Sequence, residues 1–331
     1  MTYDQDMKKI KIASLWNATV NLNSSLIVNL IKFLTNKEIE FVKIKDCDIL
    51  IFGPYEQQSV LSIAKRRIAN KILKNDSIKK NYPNLDIYLL KRKFSPLKIY
   101  LSFENYQFPN VKYDYAVTSC MGINDENHLR LPLWKELIDW SNTGIIRATD
   151  DFAKRFNRYY DLEAMVIPSP NSFLDKERKF CMITSHLSEP RKSIFNKFSR
   201  KFKVDGYGPC FNKNIKDHFS NPIKKIDILK NYAFNLCPEN SLYPGYYTEK
   251  IPEAFLGGCL PISWTDQNVK YDFNTNSFIN LLDYSHNSYE EIIDKLNDDL
   301  FLKKFIDQPL LLKKPNLDNE IKFVKKIIDS L

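Results

Sequence analysis

The sequence predicts an α/β protein with two Rossmann-like domains and a closing helix near its C-terminal end. Its length of 331 residues suits about two domains of ordinary size. Short apolar strands alternate with helical segments in two successive blocks, which is the pattern of parallel sheets. The composition, 44% hydrophobic and 27% charged, is that of a globular protein. It excludes the disordered, collagenous and disulfide-scaffold classes.

The first block begins with a strand and a helix. Residues 9–16 are rich in β-forming side chains and predict the first strand. A helix is predicted over 24–37, with Asn23 or Ser24 as its N-cap. Further strands are predicted over residues 39–44, 47–53, 97–103 and 113–119. The short connectors among the first of these elements favour a parallel, Rossmann-like sheet.

The second block follows residues 162–178, which carry two closely spaced prolines. We place the domain boundary there and predict an N-terminal domain over 1–170, a C-terminal domain over 171–310 and a C-terminal helix over 311–331. The second block is predicted to contain, in order, the strand 179–185, the helix 191–202, the turn-like 204–209, the helix 223–231, the strand and loop 232–240, the helix 248–258 and the strand 259–264. The closing helix is amphipathic, with apolar residues at Ile321, Val324, Ile327 and Ile328.

Charge, cysteine usage and hydropathy limit the class of function. The net charge of +9 suits phosphate-bearing substrates or an anionic surface, without choosing between them. The six cysteines are spread singly and are interpreted as reduced thiols rather than metal ligands or disulfides. The longest apolar stretch, 26–34, falls short of the ~20 residues that a spanning helix needs. The first residues lack the apolar core of a signal peptide, so we expect a soluble, cytoplasmic chain.

Residues 231–264 are the most informative segment. A strand leads into a loop and then into a helix, for which Thr248 is the predicted N-cap. Lys250 lies in the first helical turn, where free N–H groups and the helix dipole favour an anion. Glu249 could accept hydrogen bonds from the hydroxyl groups of a sugar. A phosphate site and a simple capped helix with a solvated lysine are both compatible with this pattern.

This segment resembles the signature of the α-1,3/4-fucosyltransferases, glycosyltransferase family 10. The signature runs approximately F-x-L-x-F-E-N-S, a short turn, Y-x-T-E-K, a helix and then P-I or P-V. The matching residues are Phe234, Leu236, Glu239, Asn240, Ser241, Tyr246, Thr248, Glu249, Lys250, Pro261 and Ile262. The resemblance extends, less specifically, over residues 9–300. It implies a GT-B fold whose two Rossmann-like domains face a cleft, an acceptor-side N-terminal domain and a GDP-sugar-binding C-terminal domain.

The resemblance implies an enzyme that transfers L-fucose from GDP-fucose to a saccharide hydroxyl with inversion. The expected acceptor is a GlcNAc-containing oligosaccharide or lipid-linked glycan, in the synthesis of surface polysaccharide such as lipopolysaccharide O-antigen or in protein glycosylation. The expected linkage is α-1,3. Glu104 matches the general base, which takes the proton of the attacking hydroxyl when it lies within hydrogen-bond reach. Without the resemblance, Glu104 is interpreted as a surface residue at the end of a strand.

The resemblance also implies how the donor is bound. The expected donor-binding residues are Arg191, Asn240, Tyr246, Glu249, Lys250 and Glu239. Arg191 and Lys250 match residues that face the diphosphate, where cations stabilise the charge on departing GDP. Tyr246 and Glu249 match residues near the ribose and the sugar. Glu239 is expected mainly to support the loop.

No metal ion or other cofactor is expected to be required. Asp46 and Asp48 flank Cys47 in a D-x-D sequence, which serves as a metal–nucleotide motif in another glycosyltransferase fold. Here the sequence precedes a core strand and predicts carboxylates at a strand start. Manganese or magnesium is expected only to stimulate turnover by shielding phosphate.

Two other functions compete with this interpretation. Pro238, Ser263 and Thr265 depart from the family pattern beside the expected donor site, which favours a different GDP-sugar such as a 6-deoxyhexose or a heptose. The basic segment 65–98 carries eleven lysines and arginines, and suits either contact with anionic lipid at the membrane's inner face or a solvated helical excursion. A non-catalytic nucleic-acid- or membrane-binding protein is the second alternative. No nucleic-acid partner is expected, because no nucleic-acid module is recognisable.

Overall fold

The structure, a computed structural model, describes residues 9–15, 22–54, 96–105, 112–149, 159–168, 173–177, 179–211, 225–284 and 289–331. The strands are β1 (Ile10–Ser14), β2 (Ile39–Phe41), β3 (Ile49–Phe52), β4 (Leu97–Ser102), β5 (Tyr115–Thr118), β6 (His128–Arg130), β7 (Phe180–Ile183), β8 (Val204–Tyr207), β9 (Phe234–Leu236), β10 (Leu260–Ser263) and β11 (Ile279–Asn280). The α-helices are α1 (Leu26–Thr35), α2 (Leu133–Glu136), α3 (Leu162–Val166), α4 (Arg191–Ser199), α5 (Lys225–Leu229), α6 (Lys250–Leu256), α7 (Glu290–Lys295), α8 (Asp299–Leu302) and α9 (Asp318–Asp329). Short 3-10 helices cover Ile44–Asp46, Ser141–Thr143, Phe173–Asp175, Gln267–Tyr271, Thr275–Ser277, Leu281–Asp283 and Lys303–Phe305.

Contacts within the chain divide it into two compact units. The first unit comprises residues 1–118, 124–129 and 318–331, and the second comprises residues 119–123 and 130–317. The boundary predicted near residue 170 falls inside the second unit, because α3 packs on α6 and the Met165 carbonyl accepts a hydrogen bond from Leu311 N at 2.8 Å. The segment 311–331, predicted as one closing element, is divided between the two units.

The first unit is built on a sheet with strand order β2-β1-β3-β4-β5-β6. Strands β1 to β5 run parallel, and Ile12 of β1 lies opposite Phe41 on one side and Ile49 on the other. Strands β3, β4 and β5 are largely buried, as expected for parallel strands covered on both faces. This confirms the parallel sheet predicted for the first block.

The start of α1 differs from the prediction. Ser25, rather than Asn23 or Ser24, is the N-cap, and its side chain makes no capping hydrogen bond. Asn29 ties down this end of the helix instead, since its Nδ2 donates to the carbonyls of Asn23 and Ser25 at 2.8 Å each. Asn29 thus fixes the chain that enters the helix by binding carbonyl groups, and it does not cap the free N–H groups of the first turn.

Helix α9 packs against α1 in the first unit. Its buried apolar side chains are Phe323, Val324 and Ile327. Of the predicted stripe, Ile321 and Ile328 are only partly buried, so the buried face is rotated toward Phe323. Tyr115 of β5 contacts the same helix, because its ring lies edge-on to Phe323 with centroids 5.5 Å apart.

The second unit contains a parallel sheet with strand order β11-β10-β9-β7-β8. The first strand of this sheet in sequence is β7. Strand β8 pairs with it on one side, and β9, β10 and β11 follow in order on the other side. In open α/β sheets, ligands bind beyond the carboxyl ends of strands at the point where the strand order reverses. That point lies here between β7 and β9. Stacked rings fix this pair of strands, since the Phe180 and Phe234 centroids are 4.5 Å apart.

Strand β8 is a correction to the sequence interpretation. Residues 204–209 were expected to form a turn, but Val204–Tyr207 pairs in register with β7 at the sheet edge. Gly206, which made the segment look like a turn, is needed for packing. A Cβ at this position would lie 2.2 Å from the ring of Phe211.

No helix in the described ranges is long and apolar enough to cross a membrane. Residues 65–95 of the predicted basic segment 65–98 lie outside the part of the chain that the structure describes. The membrane contact predicted for this segment therefore stays a prediction.

Candidate functional site

The loops that follow β7 and β9 meet at the reversal point of the second sheet. The β7 loop carries His186 and leads into α4, whose first residue is Arg191. The β9 loop carries Glu239 and Asn240 and leads into α6, whose first residue is Lys250. Residues nearly sixty positions apart in sequence are brought together because parallel strands end at one edge of the sheet.

Arg191 is buried and is held by neutral groups. Its side chain donates through one terminal nitrogen to Nε2 of His186 at 3.0 Å and through the other to Oδ1 of Asn240. Burial lowers the pKa of Arg191, while the Glu239 carboxylate, the main opposing influence, raises it. No carboxylate among the described residues forms an ion pair with this guanidinium. Its charge is therefore fixed in position without being neutralised by a direct partner.

Lys250, unlike Arg191, is paired directly with a carboxylate. Its Nζ donates to Oε2 of Glu239 at 2.8 Å and to Oγ1 of Thr248 at 2.6 Å, and lies 3.9 Å from Oε1 of Glu249. Burial alone would lower the pKa of Lys250, but the carboxylates of Glu239 and Glu249 outweigh it and raise the pKa above its ordinary value. Lys250 is therefore a permanent cation in this site.

Glu239 organises the start of α6. Its carboxylate accepts hydrogen bonds from Thr248 N at 2.8 Å and from Thr248 Oγ1 at 2.9 Å, in addition to that from Lys250. Thr248 was predicted to be the N-cap, but the N-cap is Glu249 and its side chain makes no capping hydrogen bond. The hydroxyl of Thr248 serves the buried carboxylate instead of the helix.

Asn240 links Arg191 to Tyr246. Its Oδ1 accepts from Arg191, and its Nδ2 lies 3.2 Å from the Tyr246 hydroxyl. Both ends of the Asn240 amide thus have protein partners. Tyr246 is buried, and its backbone N–H donates to the carbonyl of Tyr243 at 2.9 Å. The predicted residues Arg191, Asn240, Tyr246, Glu249, Lys250 and Glu239 therefore belong to one connected cluster.

Gly245 fixes the loop between Asn240 and Tyr246. Its φ of 93° lies in the left-handed region, and a Cβ would stand 2.1 Å from the carbonyl oxygen of Ser119. Next to it, the carbonyl of Pro244 accepts from Met121 N at 3.1 Å. Only glycine allows the two backbones to approach so closely.

Two side chains to which the sequence analysis assigned no role contact segments that adjoin the site. Arg130 makes a double hydrogen bond to the Asp272 carboxylate at 2.9 and 2.7 Å, and lies 6.0 Å from the ring centroid of Tyr247. Lys176 donates to the carbonyls of Gly257 and Gly258 at the end of α6, at 3.2 and 2.7 Å. A cation at these carbonyls complements the helix dipole and holds α6 at its far end.

Comparison with known proteins agrees with this geometry. Residues 173–305 match the family model of the glycosyltransferase family 10 (fucosyltransferase) C-terminal region. This part of the chain is similar to that family.

Relatives of the family 10 domain include an α-(1,3)-fucosyltransferase of Helicobacter pylori, 27% identical over 60% of this chain and 43% of that protein. The human 4-galactosyl-N-acetylglucosaminide 3-α-L-fucosyltransferase 9 is 31% identical over 39% of this chain and 37% of its own length. The chain thus spans less than half the length of these two relatives.

A crystal structure of an α1,3-fucosyltransferase with GDP-fucose resembles this fold. It has 20% sequence identity and a TM-score of 0.61, covering 97% of this chain and 89% of that one. Together with the two parallel-sheet α/β units, this likeness confirms the predicted GT-B fold class.

The family 10 departures at Pro238, Ser263 and Thr265 are buried. The Ser263 hydroxyl donates to the carbonyl of Cys237 at 3.1 Å, and the backbone of Thr265 is bound on both sides by the Asn280 amide. Ser263 and Thr265 thus join neighbouring strands of the sheet. The alternative of a different GDP-sugar stays a prediction.

Glu104 follows β4 of the first unit and is partly exposed. Its backbone N–H donates to Oγ of Ser102 at 3.3 Å. The position just beyond the carboxyl end of a parallel strand agrees with the sequence prediction. Its role as a base stays a prediction.

Within the D-x-D sequence, Asp48 binds the backbone of the first sheet. Oδ2 of Asp48 accepts from the backbone N–H of Lys11 at 2.9 Å, as expected for carboxylates at a strand start. Across the described part of the chain, no cluster of three or more histidine, cysteine or acidic side chains could hold a metal ion. The expectation that no cofactor is required stays a prediction.

Proposed function

We propose that the chain transfers L-fucose from GDP-fucose to a hydroxyl group of a GlcNAc-containing glycan, forming an α-1,3 linkage with inversion. The observation that carries this proposal is the buried Arg191, held by two neutral acceptors beside the cation Lys250. A fixed, unneutralised guanidinium at the reversal point of a parallel sheet is suited to a diphosphate. The similarity to fucosyltransferases supports L-fucose as the sugar of the donor.

In this proposal, two cations bind the diphosphate of the donor. Arg191 offers planar N–H donors to the diphosphate, and Lys250 adds a point charge shared with Glu239. As the bond to fucose breaks, negative charge accumulates on GDP, and preorganised cations stabilise it without further reorganisation. Tyr246 and Glu249 contact the ribose and the sugar. Asn240 and Glu239 act by holding Arg191 and Lys250 in place.

The acceptor side rests on Glu104. Its carboxylate takes the proton of the acceptor hydroxyl as that oxygen attacks the anomeric carbon of fucose. GDP leaves from the opposite face of the sugar, and this single displacement inverts the configuration. The acceptor is an oligosaccharide or lipid-linked glycan in surface polysaccharide synthesis. Manganese or magnesium stimulates the reaction by shielding phosphate and is not required.

The experiment that tests the proposal measures GDP release from GDP-fucose, GDP-mannose and UDP-galactose, each with and without N-acetyllactosamine. Release from GDP-fucose alone, stimulated by the acceptor, is expected. Stimulated release from GDP-mannose instead would show that mannose, rather than fucose, is the sugar transferred. Failure to bind GDP at all would overturn the proposal.

A further inference from the structure

His186 lies in the loop between β7 and α4 and is exposed to solvent. Its imidazole is bound on both sides. One terminal nitrogen of Arg191 lies 3.0 Å from Nε2 and 3.4 Å from Nδ1, and the Ser188 hydroxyl lies 2.7 Å from Nδ1. The backbone of this loop is also tied, because Oγ1 of Thr184 donates to the His186 carbonyl at 3.0 Å.

The chemistry of arginine fixes the proton on this ring. A guanidinium can only donate, so Nε2 of His186 has to accept, and the ring is neutral. Nε2 makes the shorter contact with Arg191 and is assigned as the acceptor, so the ring proton is placed on Nδ1, which is 2.7 Å from the Ser188 hydroxyl. Protonation of Nε2 would replace this acceptor by a donor and would set an imidazolium against the Arg191 cation.

The charged groups that face His186 in the described structure favour the neutral ring. Arg191 reaches it from α4 and Lys250 from α6, and the remaining contact, Ser188, is uncharged. Partial burial, the charge of Arg191 and the charge of Lys250 together lower the pKa of His186 below its ordinary value. At pH 7 the neutral form therefore prevails, and the hydrogen bond from Arg191 is intact.

We propose that His186 is a positioning residue: as a neutral imidazole it sets the orientation in which Arg191 meets the donor diphosphate. This inference rests on the proposed function, in which Arg191 binds that diphosphate. His186 and Asn240 each bind one terminal nitrogen of the guanidinium. Loss of His186 therefore leaves one of these nitrogens without its hydrogen bond. Acidification below the lowered pKa of His186 has the same effect, since protonated His186 repels Arg191.

The test is GDP binding by calorimetry to wild-type protein, His186→Gln and His186→Phe at pH 7.5 and 4.5, the lower value being chosen because the pKa of His186 is lowered. Gln places an amide oxygen near the position of Nε2 and does not titrate, whereas Phe keeps the ring shape without an acceptor. At pH 7.5 we expect His186→Phe to raise the Kd about 10-fold and His186→Gln to stay within about 3-fold of wild type, since a hydrogen bond to a charged group is lost only in the former. On acidification, the Kd of the wild type is expected to rise by a larger factor than that of His186→Gln.

Protonation of GDP itself affects all variants equally, so the difference between wild type and His186→Gln reports on His186 alone. His128→Gln, a histidine of the first unit, is the matched control and is expected to follow the wild type at both pH values. Unchanged affinity in His186→Phe with unchanged melting temperature, or identical pH dependence of wild type and His186→Gln, would overturn the positioning role alone. Absence of GDP binding by the wild type would overturn the proposed function as well.

Discussion

Lys250 Nζ lies 2.8 Å from Oε2 of Glu239, and the carboxylate end of this ion pair is 1% exposed while the ammonium end is 15% exposed. The two cations of the site are therefore held differently. The charge of Lys250 is balanced by a buried carboxylate, whereas that of Arg191 is held by the neutral His186 and Asn240. A bound diphosphate has to share Lys250 with Glu239 but meets Arg191 without such competition.

The ion pair predicts a large effect of Glu239→Gln on stability. The change leaves Lys250 without its close partner and turns one acceptor of the Thr248 hydrogen bonds into a donor, so we expect a loss of about 3 kcal/mol in the free energy of unfolding. Urea denaturation measures it. Glu291→Gln is the control, since Glu291 pairs with Lys295 on an exposed surface and its loss is expected to cost about 1 kcal/mol or less. Equal losses in the two variants would contradict the assigned role of Glu239.

Arg191→Lys is expected to weaken GDP binding at least about 10-fold, although the charge is kept. A lysine ammonium cannot supply the planar pair of donors that His186 and Asn240 orient. Arg200→Lys, at the exposed end of α4, is the control and is expected to bind GDP as the wild type does. Calorimetry with GDP measures both. Wild-type affinity in Arg191→Lys would remove Arg191 from the diphosphate site.

Glu104→Gln is expected to lower turnover at least about 10²-fold, the lower end of the effect of losing a general base. GDP affinity is expected to stay close to that of the wild type, because the proposed role concerns only the acceptor proton. Steady-state GDP release and GDP calorimetry separate the two. The exposed Glu40, changed to Gln, controls for the loss of one carboxylate. If Glu104→Gln turned over normally, another group would have to serve as the base.

Gly245→Ala is expected to reduce the free energy of unfolding by more than about 3 kcal/mol, because strain and a backbone clash combine. Gly122 is a matched control, since its φ of 74° is also left-handed but no atom lies within 4 Å of an added Cβ. Gly122→Ala is expected to lose about 1–2 kcal/mol from φ alone. The difference between the two isolates the close approach of Gly245 to Ser119. Similar losses would show that this contact relaxes freely.

Ser263→Ala is expected to lower stability by about 1 kcal/mol, the usual contribution of one hydrogen bond, without changing which donor is used. The hydroxyl is fully buried and donates to Cys237, so it joins two strands rather than facing a ligand. Comparing GDP release from GDP-fucose and GDP-mannose before and after the change measures selectivity. A switch in donor preference would support the alternative of another GDP-sugar.

Most strands could be predicted because apolar runs are local signals, and most of the candidate site because its residues carry the resemblance to family 10. Apolar runs indicated the parallel sheets, and the spacing of Glu239, Asn240, Tyr246 and Lys250 lies within one continuous segment. The strand within residues 204–209 was missed for a local reason as well. Gly206 is typical of turns, but here the ring of Phe211 leaves no room for a Cβ.

The supporting side chains could not be predicted because their partners are distant in sequence. Arg130 meets Asp272, and Lys176 meets the carbonyls at the end of α6, only after the second unit has folded. Nothing in the neighbourhood of either residue distinguishes it from a solvated cation. The cap of α6 was mispredicted for a similar reason, since Thr248 is an ordinary cap residue until a buried carboxylate competes for its hydroxyl.

Helix α9 completes the first unit although it is translated after the whole of the second. It covers α1, and the Tyr115 hydroxyl lies 3.1 Å from the Lys326 carbonyl. Domains usually mature in the order in which the ribosome makes them. In this chain that order is reversed, because the sheet begun first stays without one of its helices until the later unit has been synthesised. During biosynthesis, the surface of α1 and Tyr115 that α9 covers is therefore expected to stay exposed until the second unit has been made.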